Sequence, residues 1–338
     1  ISESLFRGAS ELTEIDIPDS VTTIGNYAFI GTGLTEIDLP ADLVSVGSSA
    51  FEGIAFTELL LPESLISVGS NAFNGTQITS LLIPDSVQSL GSWSFEASLL
   101  ETLVLPESAS LYGSSVVQVF SNICRSLTTL TIGQEAVSGF NGCEELSTVT
   151  LQDSVKQIRA NAFAYTPSLK SIELPSSLES IGVSAFYGSG IRSLDIPDTV
   201  TSIGNSAFRD SDLTSITLPD GLTSISESLF RGASELTEID IPSSVTRILN
   251  YAFEGAGLTE VDIKQGVTYI GDGAFRDSSL QEMSIGRSVA YLGSYAFSGV
   301  PLLSITMDLV PDVWDFTTSG RDPFYGICST LISAEINS

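Results

Sequence analysis

The sequence contains no histidine among its 338 residues, and this absence excludes several kinds of active site. Ser-His-Asp and Cys-His mechanisms need an imidazole as the general base, and most zinc sites use histidine as a ligand. Only three cysteines are present and none forms a C-x-x-C pair, so neither redox nor metal-thiolate chemistry is indicated. We therefore expect that the protein is not an enzyme and needs no cofactor.

Basic residues are also scarce, because 13 Lys and Arg stand against 41 Asp and Glu and give a formal net charge of −28. Between Gly8 and Cys124 there are 14 acidic residues and no base at all. Such a charge repels nucleic acids, which we exclude as partners, and favours cations or basic surfaces. No run approaches 18 apolar residues, so we expect no membrane insertion within this segment.

The sequence does contain a repeat that extends over nearly its whole length. Residues 12–33 (LTEIDIPDSVTTIGNYAFIGTG) share one pattern with the segment that starts at residue 34 (LTEIDLPADLVSVGSSAFEG). Eleven of the fourteen intervals between equivalent positions are 22 or 23 residues, which predicts a solenoid in which each coil packs on the next. The equivalent positions are Leu12, Leu34, Phe56, Ile78, Leu100, Leu127, Leu146, Leu169, Ile191, Leu213, Leu236, Leu258, Leu280, Leu302 and Leu331.

Fifteen of the 17 phenylalanines occupy one column of this repeat, which predicts that each ring stacks on the ring of the next coil. An aromatic residue of a binding site would not recur fifteen times, so we interpret the column as core. The column contains Phe6, Phe29, Phe51, Phe73, Phe95, Phe120, Phe140, Phe163, Phe186, Phe208, Phe230, Phe253, Phe275, Phe297 and Phe324.

Each coil can be divided into elements from its residue types. Residues 12–17 alternate as a short strand, and Pro18 ends it because proline cannot donate a ladder hydrogen bond. Residues 21–24 supply a second inward pair, and Gly25 marks a tight turn. Residues 26–29 are interpreted as a single helical turn that carries the phenylalanine inward.

The pattern L-T-x-I-x-I-P-x-S-V-x-x-I-G-x-x-A-F-x-G resembles the BspA-like (Treponema pallidum type) leucine-rich repeat. The resemblance implies a repeat solenoid of the α/β or mainly β class: a curved right-handed array of about 15 coils. Its parallel β-sheet would form the concave face, with short turns or helical turns on the other side. It also implies a secreted or cell-surface protein used in adhesion.

We predict that residues 1–338 form a single solenoid with irregular coils near 106–145 and 308–330. Residues 1–22 recur at 225–246 with one change, so Ile1 enters the repeat in its middle. Because solenoid ends need polar caps, this suggests either a fragment of a longer array or an open end that stacks on a neighbour.

The outward positions of the predicted strands are the main candidate site. They are acidic towards both ends of the chain and apolar between, and like charges on neighbouring strands favour a counter-charge. A solvated acidic face, a basic partner and Ca²⁺ are all compatible with this pattern, although a flat ladder supplies few of the oxygen ligands that Ca²⁺ needs. The candidate residues are Glu14, Asp16, Glu36, Asp38, Glu58, Leu60, Leu82, Val104, Glu238, Asp240, Glu260 and Asp262.

The irregular coils are the second candidate site, because insertions in repeat proteins map to loops that often bind ligands. A C-terminal cap is the alternative interpretation of the second irregular coil. The candidate residues are Tyr112, Trp314, Asp315, Arg321 and Tyr325.

Two kinds of covalent modification are compatible with the sequence. The sole N-x-[ST] sequon places a glycosylation site at Asn74 if the source is a secreting eukaryote. Cys124, Cys143 and Cys328 follow three of the column phenylalanines. Buried free thiols are one interpretation, and a disulfide between Cys124 and Cys143 in adjacent coils is the alternative.

We therefore expect an extracellular or cell-surface binding or adhesion scaffold that presents an acidic, partly apolar concave face to a protein or glycan, with a basic ligand favoured. The alternatives are a structural subunit of an extracellular filament or coat, assembled by end-to-end stacking of solenoids, and a cation-binding matrix protein.

Overall fold

The structure is a computed structural model that describes residues 1–96, 99–107, 119, 123–308, 322–325 and 333–337. These residues form a parallel β-solenoid of about 12 turns, which confirms the predicted fold class. The predicted count of about 15 coils is slightly too high. The irregular coils predicted near 106–145 and 308–330 lie partly outside the described residues.

The chain divides into two compact units, Ile1–Val155 and Lys156–Ser338. Each is described by itself below, and a single solenoid over 1–338 stays a prediction. Within the described ranges, no helix is both long enough and apolar enough to cross a bilayer.

A coil contains up to two strands, one at each of its two inward pairs. The strands are β1 (Thr23–Ile24), β2 (Ser45–Val46), β3 (Ser67–Val68), β4 (Ser80–Leu82), β5 (Ser89–Leu90), β6 (Thr102–Leu105), β7 (Thr129–Ile132), β8 (Ala136–Val137), β9 (Thr148–Leu151), β10 (Gln157–Ile158), β11 (Ser180–Ile181), β12 (Ser193–Asp195), β13 (Ser202–Ile203), β14 (Ser215–Thr217), β15 (Ser224–Ile225), β16 (Arg247–Ile248), β17 (Glu260–Ile263), β18 (Tyr269–Ile270), β19 (Glu282–Ile285), β20 (Tyr291–Leu292), β21 (Ser304–Asp308) and β22 (Ser333–Asn337).

The longer strands of three to five residues form one side of each unit, which we call the strand face. They pair in parallel in the order β4-β6-β7-β9 in the first unit, and as β12-β14 and β17-β19-β21-β22 in the second. The two-residue strands form a separate side, the short-strand face, with β1-β2-β3-β5 in the first unit and β10-β11-β13 and β15-β16-β18-β20 in the second.

Five of the predicted long strands lie outside any regular strand. In two places the repeat puts like charges at equivalent outward positions of successive coils: Glu14 and Asp16 with Glu36 and Asp38, and residues 238–240 with 260–262. Like charges destabilise neighbouring strands, but Glu260 and Glu282 lie directly opposite one another in the ladder of β17 and β19, so charge alone does not account for the missing strands. The affected segments are 12–17, 34–39, 56–61, 169–174 and 236–241.

The predicted helical turn at residues 26–29 is wrong. Tyr27 lies in the left-handed region with φ 58°, and the amides of Tyr27 and Phe29 donate to the carbonyls of Ser48 and Ala50 in the next coil. These N–H groups therefore satisfy their hydrogen bonds between coils rather than within a helix. A short 3₁₀ turn lies at Ile123–Arg125.

The phenylalanine column is confirmed as the core of each unit. In the first unit the rings of Phe6, Phe29, Phe51, Phe73 and Phe95 stack at centroid distances of 5.1–5.4 Å. In the second unit the stack continues from Phe163 to Phe324 at 5.1–5.8 Å. Because one coil cannot bury such a ring alone, the stack joins neighbouring coils into one core.

Candidate functional site

The strand face of the second unit contains an open groove of about 670 Å³. Parallel pairing places Glu260 opposite Glu282, and Glu282 opposite Ser304. The groove is lined by Ser215, Ile216, Glu238, Ile239, Asp240, Glu260, Val261, Asp262, Glu282, Met283, Ser284, Ser304 and Thr306. It therefore brings together four of the predicted site residues, Glu238, Asp240, Glu260 and Asp262, with a fifth carboxylate at Glu282.

A single lysine modifies the charge of this groove. The Nζ of Lys264 donates to Oδ1 of Asp240 at 2.5 Å. This hydrogen bond, with the attraction of the Asp240 and Asp262 carboxylates, raises the pKa of Lys264 above its ordinary value. The lysine is therefore charged at neutral pH and neutralises one of five carboxylates, which leaves the groove acidic.

The strand face of the first unit carries the other predicted residues of the acidic and apolar columns. Glu14, Asp16, Glu36, Asp38 and Glu58 are all exposed. They belong to the coils without regular long strands and do not line the groove of residues 215–306.

The apolar positions of the first unit follow the acidic ones along the same face. Leu60 is 87% exposed and Leu82 53% exposed, whereas Val104 is half-buried. Leu82 on β4 lies directly opposite Val104 on β6, so an exposed apolar strip continues across at least two coils.

The predicted loop residues lie mostly outside the described part of the chain. Tyr112, Trp314, Asp315 and Arg321 all do so. Tyr325 is described: it is exposed, and its ring contacts that of Tyr295 edge-on at 5.9 Å.

The Asn74 sequon lies on a turn of the first unit. Asn74 is half-buried and its Nδ2 donates to Oδ1 of Asn71 at 3.0 Å, while the Thr76 hydroxyl is buried and donates to the Phe73 carbonyl at 2.9 Å. A glycan at Asn74 would therefore have to be attached before the chain folds, and glycosylation stays a prediction.

The structure answers the question about the cysteines that the sequence leaves open. Cys124 and Cys143 form a disulfide in the first unit, with Cα atoms 4.1 Å apart, and Cys328 lies outside the described residues. Among the residues that the structure describes, no three or more Asp, Glu, His or Cys side chains come together as a group that could hold a metal ion.

Sequence reasoning missed one row of side chains on the short-strand face of the second unit. The guanidinium of Arg247 lies 4.6 Å from the centroid of the Tyr269 ring, and Tyr269 stacks on Tyr291 at 4.6 Å with an interplanar angle of 4°. The signal was present, since these large residues interrupt a column that otherwise holds mainly Ser and Thr.

The sequence also matches a known family of repeats. A profile described as a BspA type leucine-rich repeat region, with six copies, matches residues 1–128, 136–257 and 201–331. A search among curated proteins found no significant match.

Solved structures of several bacterial proteins are similar to this chain. A leucine-rich repeat protein from Bacteroides ovatus is 21% identical, with a TM-score of 0.47 over 90% of this chain and 67% of that one. The pneumococcal vaccine antigen PcpA is 23% identical, with a TM-score of 0.38 over 99% and 76%. A leucine-rich cell-surface protein from Faecalibacterium prausnitzii is 22% identical, with a TM-score of 0.33 over 87% and 85%. Because the family profile matches most of the sequence, the chain belongs to the BspA-type leucine-rich repeat family.

Proposed function

We propose that this chain is a non-catalytic, extracellular or cell-surface scaffold that binds an extended basic segment of a partner protein in the acidic groove of its second unit. The groove carries the proposal, since five carboxylates and one lysine line or border a single open depression on the strand face. Such a site attracts cationic ligands and accelerates their association.

The proposed location draws on the cysteines and on the family. Disulfides persist in oxidising compartments and are rare in the cytosol, and Cys124 is bonded to Cys143. The names of two similar proteins, a vaccine antigen and a cell-surface protein, are compatible with an exposed location. An adhesive role would follow if the partner belongs to another cell or to a matrix.

A peptide titration tests the groove directly. We expect a lysine-rich peptide of extended conformation to bind the wild-type chain, with an affinity that falls as NaCl rises because screening weakens exposed charge pairs. Glu260→Gln combined with Glu282→Gln should lower the affinity about three- to tenfold, since each exposed pair contributes about 0.2–1 kcal/mol. Fluorescence anisotropy of the labelled peptide measures the change.

A matched control separates the groove from the net charge. Glu227→Gln combined with Glu235→Gln also removes two negative charges, but from exposed positions outside the groove. If this control weakens the peptide as much as the groove variant does, the acidic groove is not the binding site. No peptide binding at low salt would contradict the proposal itself.

End-to-end assembly into a filament or coat is the second candidate. Sedimentation over a concentration series distinguishes the two candidates, because a monomer at high concentration argues against assembly.

A further inference from the structure

The short-strand face of the second unit carries a row of side chains that the fold does not require. Ser224, Arg247, Tyr269 and Tyr291 lie directly opposite one another on β15, β16, β18 and β20. In most other coils the same outward position holds a small hydroxyl residue, although β10 has Gln157 there, so neither a ring nor a guanidinium is needed to build the coil. The hydroxyl residues are Thr23, Ser45, Ser67, Ser89, Ser180 and Ser202.

The row is ordered by its own stacking. The guanidinium of Arg247 and the rings of Tyr269 and Tyr291 follow one another at 4.6 Å, close to the spacing of adjacent strands. Both faces of the Tyr269 ring are therefore covered, and Tyr291 is 47% exposed. What the row offers to a ligand is ring edges, phenol hydroxyls and guanidinium N–H groups, all of which favour hydrogen-bond acceptors.

A second row of side chains runs beside the first and is separated from it by Leu249, Gly271 and Gly293. Asn250, Asp272 and Ser294 follow Leu249, Gly271 and Gly293 in successive coils and are half-buried. The Asn250 side chain accepts from the Asp272 backbone amide at 3.0 Å, and Asp272 accepts from the Ser294 amide at 2.7 Å, so these side chains are fixed.

Glycines occupy two of the three positions between the rows, and Leu249 occupies the third. A Cβ on Gly271 would lie 2.6 Å from the Asn250 backbone nitrogen, so a side chain there would have to displace backbone. In the first unit the equivalent positions, with Thr and Ser in place of Arg and Tyr, line a groove of about 460 Å³. We call the strip of surface in the second unit between the Arg247–Tyr291 row and the Asn250–Ser294 row the tyrosine trough.

The charges of the trough identify the class of ligand. Arg247 has no carboxylate partner among the ion pairs of the described residues, and Asp272 lies in the opposite row. An anionic chain would meet Asp272, and a cationic chain would meet Arg247. A neutral polyhydroxyl chain satisfies both rows, because each hydroxyl both donates and accepts.

Tyr291 keeps its donor proton at neutral pH. Partial burial, the negative charge of Asp272 and the neighbouring Tyr269 raise the pKa of Tyr291 above its ordinary value. Its hydroxyl therefore remains a donor as well as an acceptor over the physiological range.

We propose that the tyrosine trough binds a neutral oligosaccharide chain that lies along the solenoid axis, with the Tyr269 and Tyr291 hydroxyls and the Arg247 guanidinium on one side and Asn250 and Asp272 on the other. The site is separate from the acidic groove, so its test does not depend on the function proposed above.

Calorimetry with defined oligosaccharides tests this site. The probes are neutral hexamers of β-linked and α-linked glucose, mannose, galactose and N-acetylglucosamine, together with anionic oligogalacturonate. We expect at least one neutral hexamer to bind the wild-type chain at millimolar concentration. Tyr269→Ser combined with Tyr291→Ser should weaken that binding at least about tenfold. This variant should fold, because serine is the natural residue at the equivalent position of other coils.

A second tyrosine pair provides the matched control. Tyr165 and Tyr187 contact each other at 4.9 Å on a turn of the same unit, and Tyr165→Ser combined with Tyr187→Ser should leave oligosaccharide binding unchanged. Circular dichroism checks that both double variants are folded. The proposal is overturned if no neutral hexamer binds, if oligogalacturonate binds in preference to them, or if the two double variants bind equally well.

Discussion

Gly47 and its equivalents allow neighbouring coils to approach each other closely. Their backbone is not left-handed; the left-handed residues lie two positions later, at Tyr27 and Ser49 for example. A Cβ on Gly47 would lie 2.5 Å from the Asn26 backbone nitrogen in the preceding coil. Turns do follow these glycines, as predicted, and the reason for glycine is close contact between coils rather than a left-handed backbone.

Substitution of Gly47 by alanine should destabilise the first unit. We expect Gly47→Ala to lower the free energy of unfolding by about 1–3 kcal/mol, because the methyl group must displace backbone rather than a flexible side chain. Urea unfolding measures the change. Gly221→Ala is the control, since a Cβ there meets no atom within 4 Å, and equal effects of the two substitutions would contradict the explanation.

At the scale of the element, a serine before the inward valine or leucine of a short-strand segment connects one coil to the next in several coils. Ser86 Oγ donates to the Leu65 carbonyl at 2.7 Å, and Ser244 Oγ donates to the Leu222 carbonyl at 2.7 Å. These hydrogen bonds explain why the repeat pattern contains P-x-S-V. They satisfy carbonyl groups that the short two-residue strands leave without a ladder partner.

The disulfide also connects neighbouring coils, and its removal should lower the free energy of unfolding of the first unit. Cys124 and Cys143 are 19 residues apart, beside residues 108–118 and 120–122, which lie outside the described part of the chain. Restriction of the unfolded chain by a loop of this length corresponds to about 2–4 kcal/mol, which we expect Cys124→Ala with Cys143→Ala to lose.

Hydrogen exchange followed by mass spectrometry locates this effect. We expect faster exchange in the strands β6, β7 and β9 around the disulfide and unchanged exchange in β17, β19 and β21 of the second unit. Reduction of the wild-type protein should reproduce the pattern. Unchanged stability in both the variant and the reduced protein would show that the disulfide does not stabilise the fold.

At the scale of the whole molecule, the net charge of −28 acts against folding. The 41 acidic residues outnumber the 13 basic ones, and the ion pairs of Lys170, Arg209, Lys264 and Arg276 are largely solvent-exposed. Self-repulsion of this kind destabilises a compact state and is reduced when salt shortens the range of the interaction.

The melting temperature should therefore rise with salt. We expect an increase of a few degrees as NaCl rises from about 0.01 M to about 0.15 M, over which the Debye length falls from about 30 to 8 Å. CaCl₂ at matched ionic strength is the comparison, and a much larger increase with CaCl₂ would support the cation-binding alternative. A melting temperature that is independent of NaCl would contradict the repulsion argument.

The sequence by itself determined the periodic part of this protein. The fifteen-fold recurrence of phenylalanine and the 22- or 23-residue spacing predicted stacked coils with a ring column as core, because only repetition can bury such residues along an axis. The alternation of residues along the strands also identified Glu238, Asp240, Glu260 and Asp262, which the structure brings into one groove.

Tertiary structure alone decided what depends on distances between coils. The Lys264–Asp240 ion pair and the disulfide each join residues of neighbouring coils. The left-handed turn at Tyr27 depends on a hydrogen bond from its amide to the next coil. The sequence could not resolve these because a repeat fixes which residues face outward but not which outward residues touch. The same holds for the stacked row from Arg247 to Tyr291. These three large residues lie in a column of mainly Ser and Thr, and they form one surface only because the strands that carry them pair in register.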